Sequence, residues 1–397
     1  MAETVTPKAR DRGRIALRFV LLIGVLSFFA DFTYEGSRSV LGPYLAALGA
    51  SALIVGLTTG FGELAGYGLR LVSGRWADAS GAYWPITIVG YLVQMTAVPM
   101  LALTGNWPSA AALIILERVG KAIRNPPRDT MLSYAGKEAG GVGWAFGLHE
   151  ALDQAGAMVG PLAVAAVLAR GGNFHLAFLA LAVPAAINLA LVALARVLYP
   201  RPQDLSAEPP VAGGRLPGVY WIYLAGAGLA ALGFADYPLI AYHFARARVV
   251  PGPLIAVFYA VAMGVSGAGS LAFGRLFDRF GFKVLIGLTL ASALFAPLVF
   301  FGGFWVALIG AAVWGLGMGV HESIIPAAVT QMTPGGKRAT AFGLFTAGYG
   351  VFWFLGSGAI GFLYDRSVMA AVLFCVVAEL AAAPFFLWAA RSMPPRA

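Results

Sequence analysis

Runs of about 20 mostly apolar residues recur along nearly the whole chain, and that is the length an α-helix needs to cross the hydrocarbon core of a bilayer. In lipid, backbone N–H and C=O groups have no water to bond. A spanning segment must therefore be a helix or part of a closed barrel, and these runs are too long for barrel strands. Composition agrees: 59% of the 397 residues are hydrophobic and 11% charged, against roughly 45–50% and 25% in a soluble domain. The chain reads as an all-α integral membrane protein. Twelve transmembrane helices are expected, at residues 15–42, 51–75, 84–104, 107–134, 142–169, 174–198, 218–245, 252–276, 283–301, 304–331, 338–364 and 368–391.

The seams between these spans are short except for Tyr199 to Pro217, which holds Pro200, Pro202, Pro209, Pro210 and Pro217. That composition reads as an irregular linker. It divides the chain into an N-terminal six-helix bundle (1–198) and a C-terminal one (218–397). Basic residues fix the expected orientation. Lys8, Arg10, Arg12, Arg14 and Arg18 share a side with Arg75, Lys137, Arg196, Arg201, Arg215, Arg275, Arg279, Lys283, Lys337, Arg338, Arg391 and Arg396. The other side has only Arg170, Arg246, Arg248 and Arg366. Cytoplasmic loops carry the excess of Lys and Arg, so both termini are expected in the cytoplasm and the protein in the cytoplasmic membrane. The net charge of +9 then has a topogenic cause, and no nucleic-acid partner is implied. The basic segment Met1 to Arg18 lacks a small-residue cleavage site and reads as a tail rather than a signal peptide. The lone cysteine, Cys375, excludes an intrachain disulfide and a cysteine metal site.

The halves repeat one another. Gly74-Arg75-Trp76-Ala77-Asp78-Ala79-Ser80-Gly81 lies between helices 2 and 3, and Gly274-Arg275-Leu276-Phe277-Asp278-Arg279-Phe280-Gly281, shifted by 200 residues, lies between helices 8 and 9. Ala30-Asp31-Phe32 in helix 1 matches Ala235-Asp236-Tyr237 in helix 7, and Ala145-Phe146-Gly147-Leu148 in helix 5 matches Ala341-Phe342-Gly343-Leu344 in helix 11. Two parallel six-helix repeats are one known transporter plan, with the solute site between them.

On these residues the chain resembles the major facilitator superfamily over essentially its whole length. That family's Gly-x-x-x-Asp-Arg/Lys-x-Gly pattern is matched in part by Gly74, Asp78 and Gly81, where Ala79 replaces the basic residue, and more fully by Gly274, Asp278, Arg279 and Gly281. The resemblance implies that these residues latch the halves at the cytoplasmic side. Arg118, with Gly120 near it, is similar to a helix-4 arginine that the family uses in proton coupling. Gly156, Gly160 and Pro161 are similar to a helix-5 signature associated with antiporters, although the glycines that usually follow the proline are absent. The resemblance thus implies efflux by exchange, and a monomer.

Charge placement points the same way without any motif. A charged group near the bilayer centre costs several kcal/mol. Helices 3, 6 and 9 have none in their interiors; helices 1, 2, 4, 5, 7 and 10 do. In the resembled fold the former are peripheral, as is helix 12, and the latter line or border the cavity; Glu379 in helix 12 stands outside this pattern. In helix 1, Asp31, Glu35 and Arg38 share a face, either as an internal Glu35–Arg38 salt bridge or as a proton or solute site around Asp31. In helix 4, Lys121, Arg124 and Arg128 share a face, and Pro126 and Pro127 are expected to kink the helix. Arg128 reads equally as ordinary cytoplasmic-end charge. In helix 5, His149, Glu150 and Asp153, and in helix 10, His321 and Glu322, bring groups able to carry protons, or carboxylates that simply balance Arg118 and Arg124. Glu63 and Arg70 in helix 2 are expected to pair with neighbours.

No P-loop, Gly-x-Ser-x-Gly elbow or metal-ligand spacing is present, so neither cofactor nor metal is expected, and an enzyme or lipid-handling protein is a distant alternative. The expected function is secondary active transport of a small organic solute, anionic or zwitterionic because guanidinium pairs with carboxylate or phosphate. Proton-coupled efflux antiport comes first, with uptake symport or uniport of an organic anion as the alternative. Expected solute contacts are Tyr34, Arg38, Arg118, Arg124, His321 and Glu322. Expected proton carriers are Asp31, Glu35, Glu150, Asp153 and Asp236.

Overall fold

The structure, a computed structural model, describes residues 9–139, 142–202, 216–332 and 338–392. Among them the chain is helical and forms no strand. Helix 1 is Ala9–Arg38, continued by Leu41–Ala47; helix 2 is Ala52–Ser80, helix 3 Tyr83–Met100, helix 4 Trp107–Glu138 and helix 5 Val142–Ala169. Helix 6 comprises Phe174–Ala180 and Ala182–Leu198. In the second half, helix 7 is Gly218–Gly233 and Tyr237–Arg246, helix 8 Gly252–Phe280, and helix 9 Phe282–Ser292 and Phe295–Phe301. Helix 10 is Phe304–Gly319, a π-helical turn at Val320–Ile324 and Ile325–Met332; helix 11 is Arg338–Arg366 and helix 12 Val368–Ser392. These are two pseudo-symmetric bundles of six. Residues 203–215, the middle of the expected linker, lie outside the described residues.

Eleven of the described helices are long and apolar enough to cross a membrane. Helix 4 is the twelfth, and its interior charges keep it off that count: Glu117, Arg118, Lys121 and Arg124 fall within its first 18 residues. It spans because neighbouring helices supply counter-charges. Helix 4 also runs unbroken through Pro126 and Pro127. Pro126 has no N–H for the carbonyl of Ala122, four residues back. The Ser73 hydroxyl of helix 2 donates to that carbonyl instead, at 2.8 Å. Ser73→Ala should leave a buried acceptor unpaired and lower the unfolding free energy by roughly 1–3 kcal/mol, measurable by denaturant titration in detergent; an unchanged midpoint would remove this explanation for the unbroken helix.

The repeat is visible in packing. Helix 5 lies on helix 1 so closely that a Cβ at Gly156 would sit 2.2 Å from the carbonyl oxygen of Phe28, and one at Gly160 2.1 Å from that of Phe32. Helix 11 lies on helix 7 in the same way: a Cβ at Gly356 would sit 2.2 Å from the carbonyl oxygen of Leu232. Small residues let membrane helices approach to backbone contact. The helix-5 glycines thus form the seam of their half.

Helix 7 parts between Gly233 and Tyr237 because Pro238 opens its second segment, where a proline's missing N–H costs nothing. Asp236 sits at that opening. Glu379 now has a place: fully buried, its Oε2 accepts from Ser292, the last residue of helix 9's first segment.

The halves meet along helix 2 with helix 11, helix 5 with helix 8, and the second segments of helices 1 and 7. The last contact lies at the face away from the termini. There a Cβ at Gly42 would stand 1.8 Å from the carbonyl oxygen of Pro238, so only glycine permits this approach.

Candidate transport site

A continuous network of buried charge occupies the middle of the first bundle and reaches the second. Arg38 of helix 1 donates from Nη1 to the Tyr34 hydroxyl at 2.6 Å and from Nη2 to Asp236 Oδ1 of helix 7 at 2.5 Å. It also lies 3.5 Å from Glu63 Oε1 of helix 2. The same Glu63 oxygen takes Arg118 Nη2 of helix 4 at 2.6 Å. The Tyr34 ring is surrounded by cations: Lys121 Nζ is 4.1 Å from its centroid, and the guanidinium carbons of Arg118 and Arg38 are 4.7 and 5.8 Å away. Such contacts are favourable because the ring face is negative.

Arg124 is the most enclosed cation, with no exposed surface. Its Nε donates to Gln94 Oε1 at 2.5 Å and its Nη1 to the Tyr91 hydroxyl at 3.2 Å. Gln94 passes the link on, donating from Nε2 to Glu117 at 2.6 Å. Arg124 Nη2 stands 3.7 Å from Asp31 Oδ1 and Lys121 Nζ 3.9 Å from the same oxygen, both beyond hydrogen-bond length. At the termini side of the network, Arg128 binds its neighbour Asp129 at 2.7 Å and donates to Ser27, whose hydroxyl contacts His149 at 2.7 Å.

Every one of these five basic side chains therefore has a carboxylate within 4 Å. The reverse is not true. Glu35, Glu150, Asp153 and Glu322 have no basic partner at that range among the described residues. Glu35 accepts instead from the Tyr259 hydroxyl of helix 8 at 2.5 Å; the internal Glu35–Arg38 bridge that the sequence allowed is not formed, because Arg38 turns to Asp236. Glu150 and Glu322 are exposed, and Gln154 reaches both with its amide nitrogen, at 3.1 and 3.5 Å. Asp153 lies within electrostatic reach of Asp31 and Glu150, and its Oδ1 is buried without a hydrogen-bond partner. Glu322 and His321 ride on the π-helical turn of helix 10, a distortion frequent at functional sites. His321 Nδ1 meets the Tyr349 hydroxyl, and its ring packs 4.5 Å from Phe234 and edge-on to Trp353.

The network thus gathers Tyr34, Arg38, Asp31, Glu35, Arg118, Arg124 and Asp236 around the junction of the halves, with Glu150, Asp153 and Glu322 at a second cluster on helices 5 and 10. The repeated glycine–aspartate motif at the ends of helices 2 and 8 is described only in part. Gly81 ends helix 2 with a left-handed φ of 65°, and Gly74 lies against Pro126. Arg279 stacks over Phe280. The side chains of Asp78 and Asp278, and the surroundings of Gly274, lie outside the described residues. Sequence reasoning passed over Gln94, Tyr91 and Tyr259. A lone amide in the otherwise uncharged helix 3 was the available signal for Gln94.

Residues 21–281 match the family profile of the Major Facilitator Superfamily. The chain belongs to that superfamily. A Mycobacterium tuberculosis protein of uncharacterised function is 40% identical over 375 residues, covering 92% of this chain and 91% of its own. An MFS-type transporter of Methanocaldococcus jannaschii is 24% identical over 375 residues, covering 92% and 94%. Among solved structures, the nucleoside transporter NupG superposes with a TM-score of 0.70 at 16% identity, covering 94% of this chain and 98% of that one. That likeness speaks for the fold. This superfamily member is a membrane transporter of the MFS type and not an enzyme.

Proposed function

We propose that the protein exports a small zwitterionic organic solute in exchange for protons, by alternating access of two halves joined through the 199–217 linker. It works as a monomer in the cytoplasmic membrane with both termini in the cytoplasm, an orientation supported by the bias of Lys and Arg. The face away from the termini is then the outer face. The observation that carries the reading is the uncompensated carboxylate cluster: Glu150 from one half and Glu322 from the other meet at Gln154, with Asp153, whose Oδ1 is buried without a hydrogen-bond partner, on the same helix as Glu150. A proton and the ammonium end of a solute compete for such groups, and competition for one site couples the two flows. Arg38 and Arg118, the guanidinium groups near Tyr34, are already paired at 2.5 and 2.6 Å, which argues against a freely anionic solute. The acid end of a zwitterion has Lys121 open to it, since that ammonium is held to Asp31 only at 3.9 Å. Arg118, Arg38 and His321 border this region, and Arg124, which has no exposed surface, acts from behind it through Asp31; Glu35, Asp31 and Asp236 complete the set of groups able to hold a proton.

One observation favours a second reading, symport of an organic anion. Protonation of Asp31 would release Lys121 and Arg124 together, making an anion site only when a proton is bound. Proteoliposomes containing a pH-sensitive dye separate the two. A panel of cationic, zwitterionic and anionic solutes is applied to wild type, Glu150→Gln, Glu322→Gln and Asp31→Asn. Antiport predicts proton movement opposite to a zwitterion, lost by at least tenfold in the two glutamine variants. Movement of proton and anion together, lost in Asp31→Asn, would establish the second reading. Solute flux with no proton movement in any protein would overturn both.

A further inference from the structure

Asp365, in the last turn of helix 11, belongs to neither cluster. Its two carboxylate oxygens cross to the other half, accepting from the backbone N–H of Ala52 at 3.0 Å and of Leu53 at 2.9 Å. Those are the first two residues of helix 2. A helix start has unpaired N–H groups and a partial positive charge, so a carboxylate there is held by two hydrogen bonds and by the dipole. Helix 2 already has its own cap: Ser51 Oγ accepts from Ile54 N at 3.3 Å. Asp365 therefore adds a bond between halves more than a helix start. Its surroundings are built for close approach. A Cβ at Gly361, one turn earlier, would stand 2.5 Å from the carbonyl oxygen of Ala52, and one at Gly56 2.2 Å from that of Ser357.

We propose that Asp365 is the latch that holds the outer face closed, a positioning residue for the transport cycle. When the face opens, helices 2 and 11 separate at this end, both N–H groups and the carboxylate return to water, and the latch is remade on closing. The latch rests on the alternating-access reading above. Its energy is set by a helix cap, so losing it should raise the outward-open to inward-open ratio about tenfold.

The test is a distance measurement between spin labels on the outer ends of helices 1 and 7, at Ala47→Cys and Ala247→Cys, in a Cys375→Ser background. Wild type should show a dominant short distance and a minor long one. Asp365→Ala should enlarge the long population about tenfold, and Asp365→Asn, which keeps the shape but only one acceptor, by less. Ser51→Ala weakens the same helix start without touching the contact between halves and should leave the populations unchanged. Two distances in wild type, with the same ratio in both Asp365 variants, would overturn the latch and leave alternating access standing. An equal shift from Ser51→Ala would also overturn it, as a helix-stability effect. A single distance, unmoved by any variant, by pH or by solute, would overturn the latch and alternating access together.

Discussion

Arg124→Ala should lower the unfolding free energy by about 3–5 kcal/mol, the cost of stranding the partners of a buried ion, and should abolish transport. The guanidinium is entirely enclosed, and each of its nitrogens has a separate task. Nε holds Gln94, Nη1 holds Tyr91, and Nη2 faces Asp31. Removing it leaves Gln94 Oε1 without its donor and leaves Asp31 facing Lys121 alone at 3.9 Å. Gln94 would lose the orientation that lets it serve Glu117, so the damage spreads to a second carboxylate. Arg124→Lys should recover only part of the loss, because the three donors of an ammonium sit on one nitrogen and cannot reach partners placed around the spread of a planar guanidinium. Denaturant titration of the purified protein checks this. A destabilisation under 1 kcal/mol, or full rescue by lysine, would mean that the fork geometry does not organise the site.

The length and apolarity of the spans made the twelve-helix plan legible, because the bilayer thickness imposes one length on every crossing segment. The repeat singled out Asp31 and Asp236 as counterparts, yet the two differ in their partners: Asp31 faces Lys121 and Arg124, and Asp236 takes Arg38. Which partners these residues choose was not legible. Helical spacing places Glu35 and Arg38 on one face and suggests a bridge, yet Arg38 reaches Asp236, almost two hundred residues away in sequence, and Glu35 reaches Tyr259. Periodicity describes one helix at a time, whereas buried charges are satisfied between helices. The interruptions of helices 1, 6, 7, 9 and 10 were missed for a related reason. An apolar run looks continuous in sequence even where the backbone changes pitch, as at the π-helical turn that carries His321 and Glu322. Helix 4 shows the converse. Its charges and prolines argued for a disturbed end, but Ser73 and the carboxylates of neighbouring helices keep it whole.

Substitutions at Arg38 and Asp236 should be strongly non-additive, with a coupling of about 2–3 kcal/mol between Arg38→Ala and Asp236→Ala. This is the shortest ion pair between the halves among the described residues, and both side chains are buried. Either single change leaves the other charge in a low-dielectric site. The two losses are unequal. Arg38 deprived of Asp236 still has Glu63 at 3.5 Å, although Glu63 is already committed to Arg118 at 2.6 Å. Asp236 deprived of Arg38 keeps only a long contact from Trp353 Nε1, at 3.5 Å. Arg38→Ala should therefore be the more damaging single change, and Arg38→Ala with Asp236→Ala should be milder than the sum. The same asymmetry suits a pair that breaks and reforms: on separation of the halves Arg38 has a partner waiting within its own bundle, so the charge is never left without one. Asp236→Asn should slow transport by at least tenfold while sparing the fold more than Arg38→Ala does. Unfolding titrations of the four proteins in the cycle, with solute flux for each, give the answer. Additive losses would show that the pair does not form in the dominant state, and the junction of the halves would then rest on backbone contacts such as that between Gly42 and Pro238.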